Sequence, residues 1–145
     1  MIHPAQDIAN YFLSLVNEDV GEGITNMKMQ KLLYYAQGFS LAVFGMPFFN
    51  EAIEAWQYGP VVPALYHAYK KYGNTPLPQP QGSAVNLFTQ PEQELLNQIY
   101  YEYGQFSVWR LSDMTHQETP WKSTPLNEVI SHEKLKSYFL TQLEG

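Results

Sequence analysis

The chain has 145 residues, a length typical of one domain, and 45% of them are hydrophobic, which excludes a wholly disordered protein. Fourteen acidic and eight basic residues give a formal charge of −6, which argues against a domain-wide phosphate-binding surface, so direct nucleic-acid binding is not expected. The absence of cysteine excludes disulfides, thiolate metal ligands and a cysteine nucleophile. No apolar run approaches the ~20 residues that span a bilayer, and no leader pattern opens the chain, so we expect a cytoplasmic protein without membrane contact.

Apolar residues at helical spacing predict the first two helices. The first begins after Pro4, because proline suits the first turn of a helix, and the second begins after Thr25, a favoured N-cap residue. Lys28 and Lys31 are expected on the solvent-facing side of the second helix. The apolar or small stripe of that helix is predicted to consist of Met29, Leu32, Leu33, Ala36, Ser40 and Val43.

The pattern changes to short extended segments between residues 48 and 58. Residues 48–49 and 53–58 predict a small β-hairpin around residues 50–52, and Gly59 and Pro60 are expected to end it. Trp56 and Tyr58 are two positions apart, so their rings would face the same way from a strand. Tyr58 fits the core and a partner-binding surface equally well. The residues predicted to be mostly buried are Trp56, Leu32, Leu33 and Tyr35.

The rest of the chain is again mainly helical. A third helix over residues 62–72 is expected to end at Gly73, and alternate prolines predict an extended loop within residues 74–88. Thr89, Ser107 and Ser131 predict the N-caps of three further helices, and residues 120–125 predict turns. The predicted fold class is therefore mainly α, a compact bundle of about six helices with one small β-hairpin, in a single domain over residues 1–145.

Residues 112–118 contain the one group of side chains that suggests catalysis. Ser112, Asp113 and His116 are the residue types of a hydrolase triad, but Ser112 lacks the flanking glycines of a nucleophile elbow. Asp113, His116 and Glu118 could hold a metal ion, but no HExxH-like spacing supports one. We therefore predict no catalytic site, metal or cofactor, and keep a small hydrolase or metal-dependent enzyme at Asp113 and His116 as the alternative. The histidines interpreted as surface or helix-cap residues are His3, His67 and His132.

Basic residues in the second and third helices leave two interpretations open. They could converge into one basic patch with a weak, salt-sensitive contact to nucleic acid. They could instead solvate the outer faces of two helices, which is the interpretation that the sequence favours. The residues concerned are Lys28, Lys31, Lys70 and Lys71.

Three segments of the chain together resemble a known protein family. They are residues 29–38 (MQKLLYYAQG), 54–66 (EAWQYGPVVPALY) and 111–121 (LSDMTHQETPW). In this order they are similar to the three signature blocks of the Panacea domain, found in the SocA-like antitoxin family, which is also known as the phage-associated GepA-like proteins. The chain has Met27-Lys28-Met29 where the family often has Leu-Lys-Leu, a change that conserves side-chain volume.

The resemblance implies a mainly helical domain that neutralises a toxin protein encoded beside it by binding that toxin, without enzymatic activity or cofactor. An acidic chain can complement a basic toxin surface. Tyrosine and tryptophan often dominate interface energetics, and the chain is rich in tyrosine. We therefore predict that Tyr58, Gly59 and Pro60 bind the partner, extended by His116 and Trp121 if the second and third blocks meet, with residues 75–82 as a rim.

Overall fold

A computed structural model describes residues 2–16, 23–82 and 84–143. In these residues the fold is mainly α with one two-stranded antiparallel sheet, so the predicted fold class is confirmed. The short α6 lies where turns were predicted. No helix in the described ranges is long and apolar enough to cross a membrane. The elements are α1 (Ala5–Ser14), α2 (Asn26–Val43), β1 (Glu54–Trp56), β2 (Gly59–Val61), α3 (Pro63–Tyr69), α4 (Gln90–Tyr103), α5 (Val108–His116), α6 (Thr119–Lys122) and α7 (His132–Leu140).

Helix α2 is the centre of the fold. It contacts the other long helices and β2, and 13 of its 18 residues are buried. Thr25 caps it as predicted, with its hydroxyl accepting a hydrogen bond from the Lys28 amide. A helix surrounded in this way is buried on nearly all sides instead of along one stripe. Two expectations for α2 are therefore wrong, because Lys31 is fully buried and Val43, near the open end of the helix, is 47% exposed.

The hairpin is shifted along the chain from its predicted position. Its turn lies at residues 57–58, and the strands pair Glu54 with Val61 and Trp56 with Gly59, so Gly59 and Pro60 form the second strand and do not end the hairpin. Residues 48–49 have no strand partner because the Gln37 side chain and the His3 amide, which donates to the Phe48 carbonyl, satisfy their backbone. The Gln37 amide oxygen accepts from the amides of residues 48 and 49, and its nitrogen donates to the carbonyl of residue 49.

The outer edge of β1 is covered by a connecting segment that precedes α7. Asn127 and Ile130 donate backbone hydrogen bonds to the carbonyls of Ala55 and Ile53, and Ala55 donates to Glu128. The two-stranded sheet therefore gains a third line of backbone pairing, which a hairpin this short needs for stability.

The predicted core is confirmed except at one tryptophan. Leu32, Leu33 and Tyr35 are fully buried. Trp56 is only partly buried, and its ring packs edge-on against Tyr66 with 4.9 Å between centroids. It lines the outer side of the hairpin and does not fill the core.

Local capping signals located the helix starts correctly in the second half of the chain. Thr89 and Glu92 form the predicted capping box, and Ser107 and Ser131 each accept a hydrogen bond from an amide in the first turn of their helix. The interpretation of His3 as a surface or cap residue is wrong. His3 is buried, and its Nε2 lies 3.1 Å from Glu92 Oε2, which ties the start of the chain to α4.

Replacing Leu33 by Ala should lower the free energy of unfolding by roughly 2–5 kcal/mol, because the side chain is fully buried beside α2's neighbours and its loss leaves a cavity. Urea unfolding measures this change. Val43→Ala in the same helix is the control, since Val43 is exposed, and it should alter stability by less than about 0.5 kcal/mol. Equal effects of the two substitutions would contradict the assigned helix faces.

Candidate partner-binding site

The three sequence blocks that carry the family resemblance meet at the hairpin turn. Side chains of α5 and α6 donate hydrogen bonds to the carbonyl groups of three successive residues, the last residue of β1 and the two residues of the turn. The bonds run from Trp121 Nε1 to Trp56 O at 2.8 Å, from His116 Nε2 to Gln57 O at 3.0 Å, and from Ser112 Oγ to Tyr58 O at 2.7 Å. Because a carbonyl oxygen only accepts hydrogen bonds, His116 carries a proton on Nε2.

Helix α2 holds the other side of the turn. Lys31 Nζ donates to Pro60 O at 3.3 Å, and the Gln30 side-chain oxygen accepts from the Val62 amide at 2.9 Å. Gly59 lies against Lys31 with a φ of +120°, a conformation that residues with a side chain rarely adopt. A Cβ at Gly59 would come within 2.7 Å of Lys31 Cε and 2.8 Å of Thr115 Oγ1. Glycine is therefore required where α2, α5 and the turn come together.

The structure brings all five predicted partner-binding residues to this one place, but they differ in exposure. Tyr58 is 52% exposed, whereas Gly59 and Pro60 are buried in β2. His116 and Trp121 are partly buried, and their rings contact each other at a tilt of 41° with 4.2 Å between centroids. Of the five, Tyr58 therefore offers the most surface to a partner, and the others hold the turn in place. Their role in partner binding remains a prediction.

Sequence reasoning missed Trp109. This residue is 68% exposed on α5, and its ring meets Tyr58 nearly edge to face, with centroids 6.1 Å apart and an angle of 87°. The buried residues of α5 are Leu111, Ser112 and Thr115, so Trp109 lies off the face that packs into the protein. A large aromatic residue off the buried face of a helix was the signal available in the sequence.

An apolar groove opens beside these two rings. Its volume is about 560 Å³, within the roughly 300–1,000 Å³ range of ligand pockets. It lies between the start of α2, the hairpin turn, the end of α3 and the start of α5. We call it the aromatic groove, and the side chains that define it are Met27, Tyr58, Tyr66, Val108 and Trp109.

Two ionisable side chains are buried close to the turn. Glu118 accepts hydrogen bonds from the Tyr34 and Tyr35 hydroxyls, one on each carboxyl oxygen, both at 2.9 Å. Burial raises the pKa of Glu118 to about 7, against the opposing effect of these two hydrogen bonds. Burial also lowers the pKa of the Lys31 amine to about 7. Both groups therefore lose much of their charge on folding near neutral pH, Glu118 by binding a proton and Lys31 by losing one.

Two of the four side chains that suggested an enzyme, Ser112 and His116, hold the turn. Ser112 Oγ and His116 Nε2 each donate to a turn carbonyl, so the two atoms that a triad would join are committed elsewhere. Glu118 is held by two tyrosines, and Asp113 is exposed. In residues 2–16, 23–82 and 84–143, no group of three or more His, Asp and Glu side chains could hold a metal ion. The alternative of a hydrolase or metal enzyme gains no support from this geometry.

With this geometry in hand, comparison with known proteins identifies the family. Residues 29–122 match the family described as "Antitoxin SocA-like, Panacea domain", and the chain belongs to it. The matched range contains the hairpin, its turn and the turn-holding side chains of α2, α5 and α6. Antitoxin SocA of Caulobacter vibrioides is 29% identical over 109 residues, which cover 68% of this chain and 58% of that relative. No solved structure gives a significant match.

The two buried ionisable groups should give stability opposite dependences on pH. The pKa of Glu118 is about 7 in the folded chain against an ordinary value of 4.5, so its contribution to stability is complete below pH 4.5 and is lost as the pH rises to 7. The pKa of Lys31 falls from 10.5 to about 7, so its contribution is present above pH 10.5 and is lost as the pH falls to 7.

Urea unfolding of variants across pH checks this pair of effects. Glu118→Gln should remove the decline in stability between pH 4.5 and 7, and Lys31→Met should remove the rise between pH 7 and 10.5. Each variant is the other's control, because it should leave the other pH range unchanged. A constant difference between wild type and Glu118→Gln over the whole range would contradict the assignment.

The enzyme alternative is tested on purified protein and on His116→Ala. We expect neither sample to retain bound metal by elemental analysis, and neither to hydrolyse a generic ester, phosphoester or peptide, because His116 is bonded to the turn. One equivalent of metal or measurable turnover that is lost in His116→Ala would establish the enzyme. Circular dichroism must show that the variant remains folded.

Proposed function

We propose that this chain is an antitoxin that neutralises a toxin protein encoded beside it, by binding the toxin directly and masking it without chemistry on either partner. Family membership and the similarity to Antitoxin SocA support the antitoxin role. The chain spans 58% of the length of that relative. We further propose that binding takes place in the cytoplasm, without direct contact to nucleic acid.

The observation that carries direct binding is the exposed pair of rings at Tyr58 and Trp109. The Tyr58 carbonyl accepts a hydrogen bond from Ser112. The carbonyls of Gln57 and Pro60 accept from His116 and Lys31, so side chains of α5 and α2 hold the backbone around Tyr58. A surface that is already ordered loses less conformational entropy when a partner binds. Tyrosine and tryptophan in such positions are typical of the few residues that supply most of the binding energy.

The arrangement supports binding over catalysis for a second reason. The polar side chains of the family blocks, including Ser112, His116 and Trp121, direct their donors inward to the turn. An enzyme of this size would need such groups to face a substrate. Here they instead fix the shape of an exposed aromatic surface, which is what a binding module requires.

Replacing Tyr58 by Ala should weaken binding to the protein encoded by the neighbouring reading frame by about 2 kcal/mol or more, because an exposed ring on a rigid turn fits a hot spot. Isothermal titration calorimetry measures the affinity, and rescue of growth on co-expression measures neutralisation. Tyr101→Ala is the matched control, since Tyr101 is 70% exposed on α4, outside the aromatic groove.

The thermal unfolding midpoint of Tyr58→Ala must stay near that of wild type for this comparison to count. If stable Tyr58→Ala and Trp109→Ala variants bind the toxin and rescue growth like wild type, the interface lies elsewhere on the protein. If the wild-type chain does not bind the neighbouring protein at all, direct masking is wrong.

A further inference from the structure

The aromatic groove has an unusual charge environment for an acidic protein. Its lining residues fall within residues 25–27, 66–74 and 108–112, together with Tyr58. These segments contain three of the chain's eight basic residues and none of its 14 acidic residues. Asp113 follows the last segment in sequence and lines a different cavity, together with Arg110 and His116. The three basic residues are Lys70, Lys71 and Arg110.

Two of these basic residues lie on the stretch of chain that borders the groove. Lys70 and Lys71 are exposed between Tyr66 and Gly73, which both line the groove, and the Lys70 carbonyl accepts a hydrogen bond from the Gly73 amide. Arg110 instead lines the other cavity, and its guanidinium lies over the Phe106 ring. The result is a predominantly apolar groove with a basic rim formed by Lys70 and Lys71.

We infer that the aromatic groove receives an apolar or aromatic side chain of a partner protein segment, flanked by Asp or Glu residues that pair with Lys70 and Lys71. This inference rests on the proposed function and names the chemistry of the toxin segment that binds. The apolar side chain is removed from water between Tyr58 and Trp109, which supplies affinity. The acidic flanks meet the basic rim, which selects the segment over neutral or basic ones.

A protein segment fits this site better than a single-stranded nucleic acid does. Base stacking uses flat aromatic faces in sequence, whereas the Tyr58 and Trp109 rings stand at 87° to each other. The chain's charge of −6 opposes a phosphate polymer that extends beyond the groove. The basic rim acts over roughly a Debye length of 8 Å at physiological salt, which suits a few neighbouring carboxylates.

A random 12-residue peptide library displayed on phage, selected against the full chain, tests the inference without knowledge of the toxin. We expect enriched peptides to share an apolar or aromatic residue with Asp or Glu beside it. The best synthetic peptide should bind at least tenfold more weakly to Trp109→Ala and to the double variant Lys70→Glu/Lys71→Glu. Lys136→Glu on α7 is the control for charge reversal and should bind like wild type, since Lys136 lies outside the groove walls.

Several outcomes overturn the inference. These are the absence of any enriched peptide, enrichment of basic peptides, binding that neither variant weakens, or tighter binding of a 12-residue oligothymidine than of the best peptide. Titration with the neighbouring protein separates the two proposals. Toxin binding that survives Lys70→Glu/Lys71→Glu unchanged overturns the acidic-segment inference alone, and the absence of wild-type binding overturns the proposed function.

Discussion

The close contact between Gly59 and Lys31 is the constraint on which the hairpin depends. The absence of a side chain at Gly59 lets the Lys31 stem pass beneath the turn and bring its amine to Pro60 O. The same glycine lets Thr115 of α5 approach the turn from the other side. Helices α2 and α5 are thereby fixed relative to one small loop, and the loop in turn has little freedom to move. Gly59 therefore serves both the packing of α2 and α5 in the interior and the shape of the exposed turn.

The burial of two ionisable side chains near the turn opposes folding. A lysine and a glutamate are buried without forming an ion pair with each other, since Lys31 bonds to a carbonyl and Glu118 to two phenols. Burying an unpaired charge is expensive, and each group reduces the cost by moving its pKa toward neutrality. Hydrogen bonds to such groups are directional, whereas apolar packing is not. The gain is therefore a defined geometry more than added stability: Lys31 orients the hairpin, and Glu118 fixes the start of α6 against α2.

The sequence predicted those features that depend on neighbouring residues. Thr25, Thr89, Ser107 and Ser131 identify helix starts because a cap is a contact within one turn. The hairpin register was not predictable in this way, because residues 48–49 read as a strand and are instead satisfied by the Gln37 side chain, 11 and 12 positions earlier. The burial of Lys31 was equally hidden, since lysine on a helix usually faces solvent. Both errors come from contacts between distant parts of the chain.

The candidate site was likewise predictable only where it depends on local sequence. The residues that meet at the turn belonged to segments already distinguished in the sequence, but their separate roles required the distances between them. Tyr58 is exposed at the turn, whereas His116 and Trp121 hold the turn by hydrogen bonds to backbone carbonyls.

Charge acts on partner binding at two distances, across the whole surface and at the groove. In the proposed complex, the net charge of −6 would favour a basic partner at long range, whereas Lys70 and Lys71 beside the aromatic groove would select acidic groups at contact. A partner that meets both conditions would be basic overall and carry a local acidic segment around an apolar anchor. This combination is more restrictive than either feature alone, so under this proposal the groove would add specificity that net charge cannot provide.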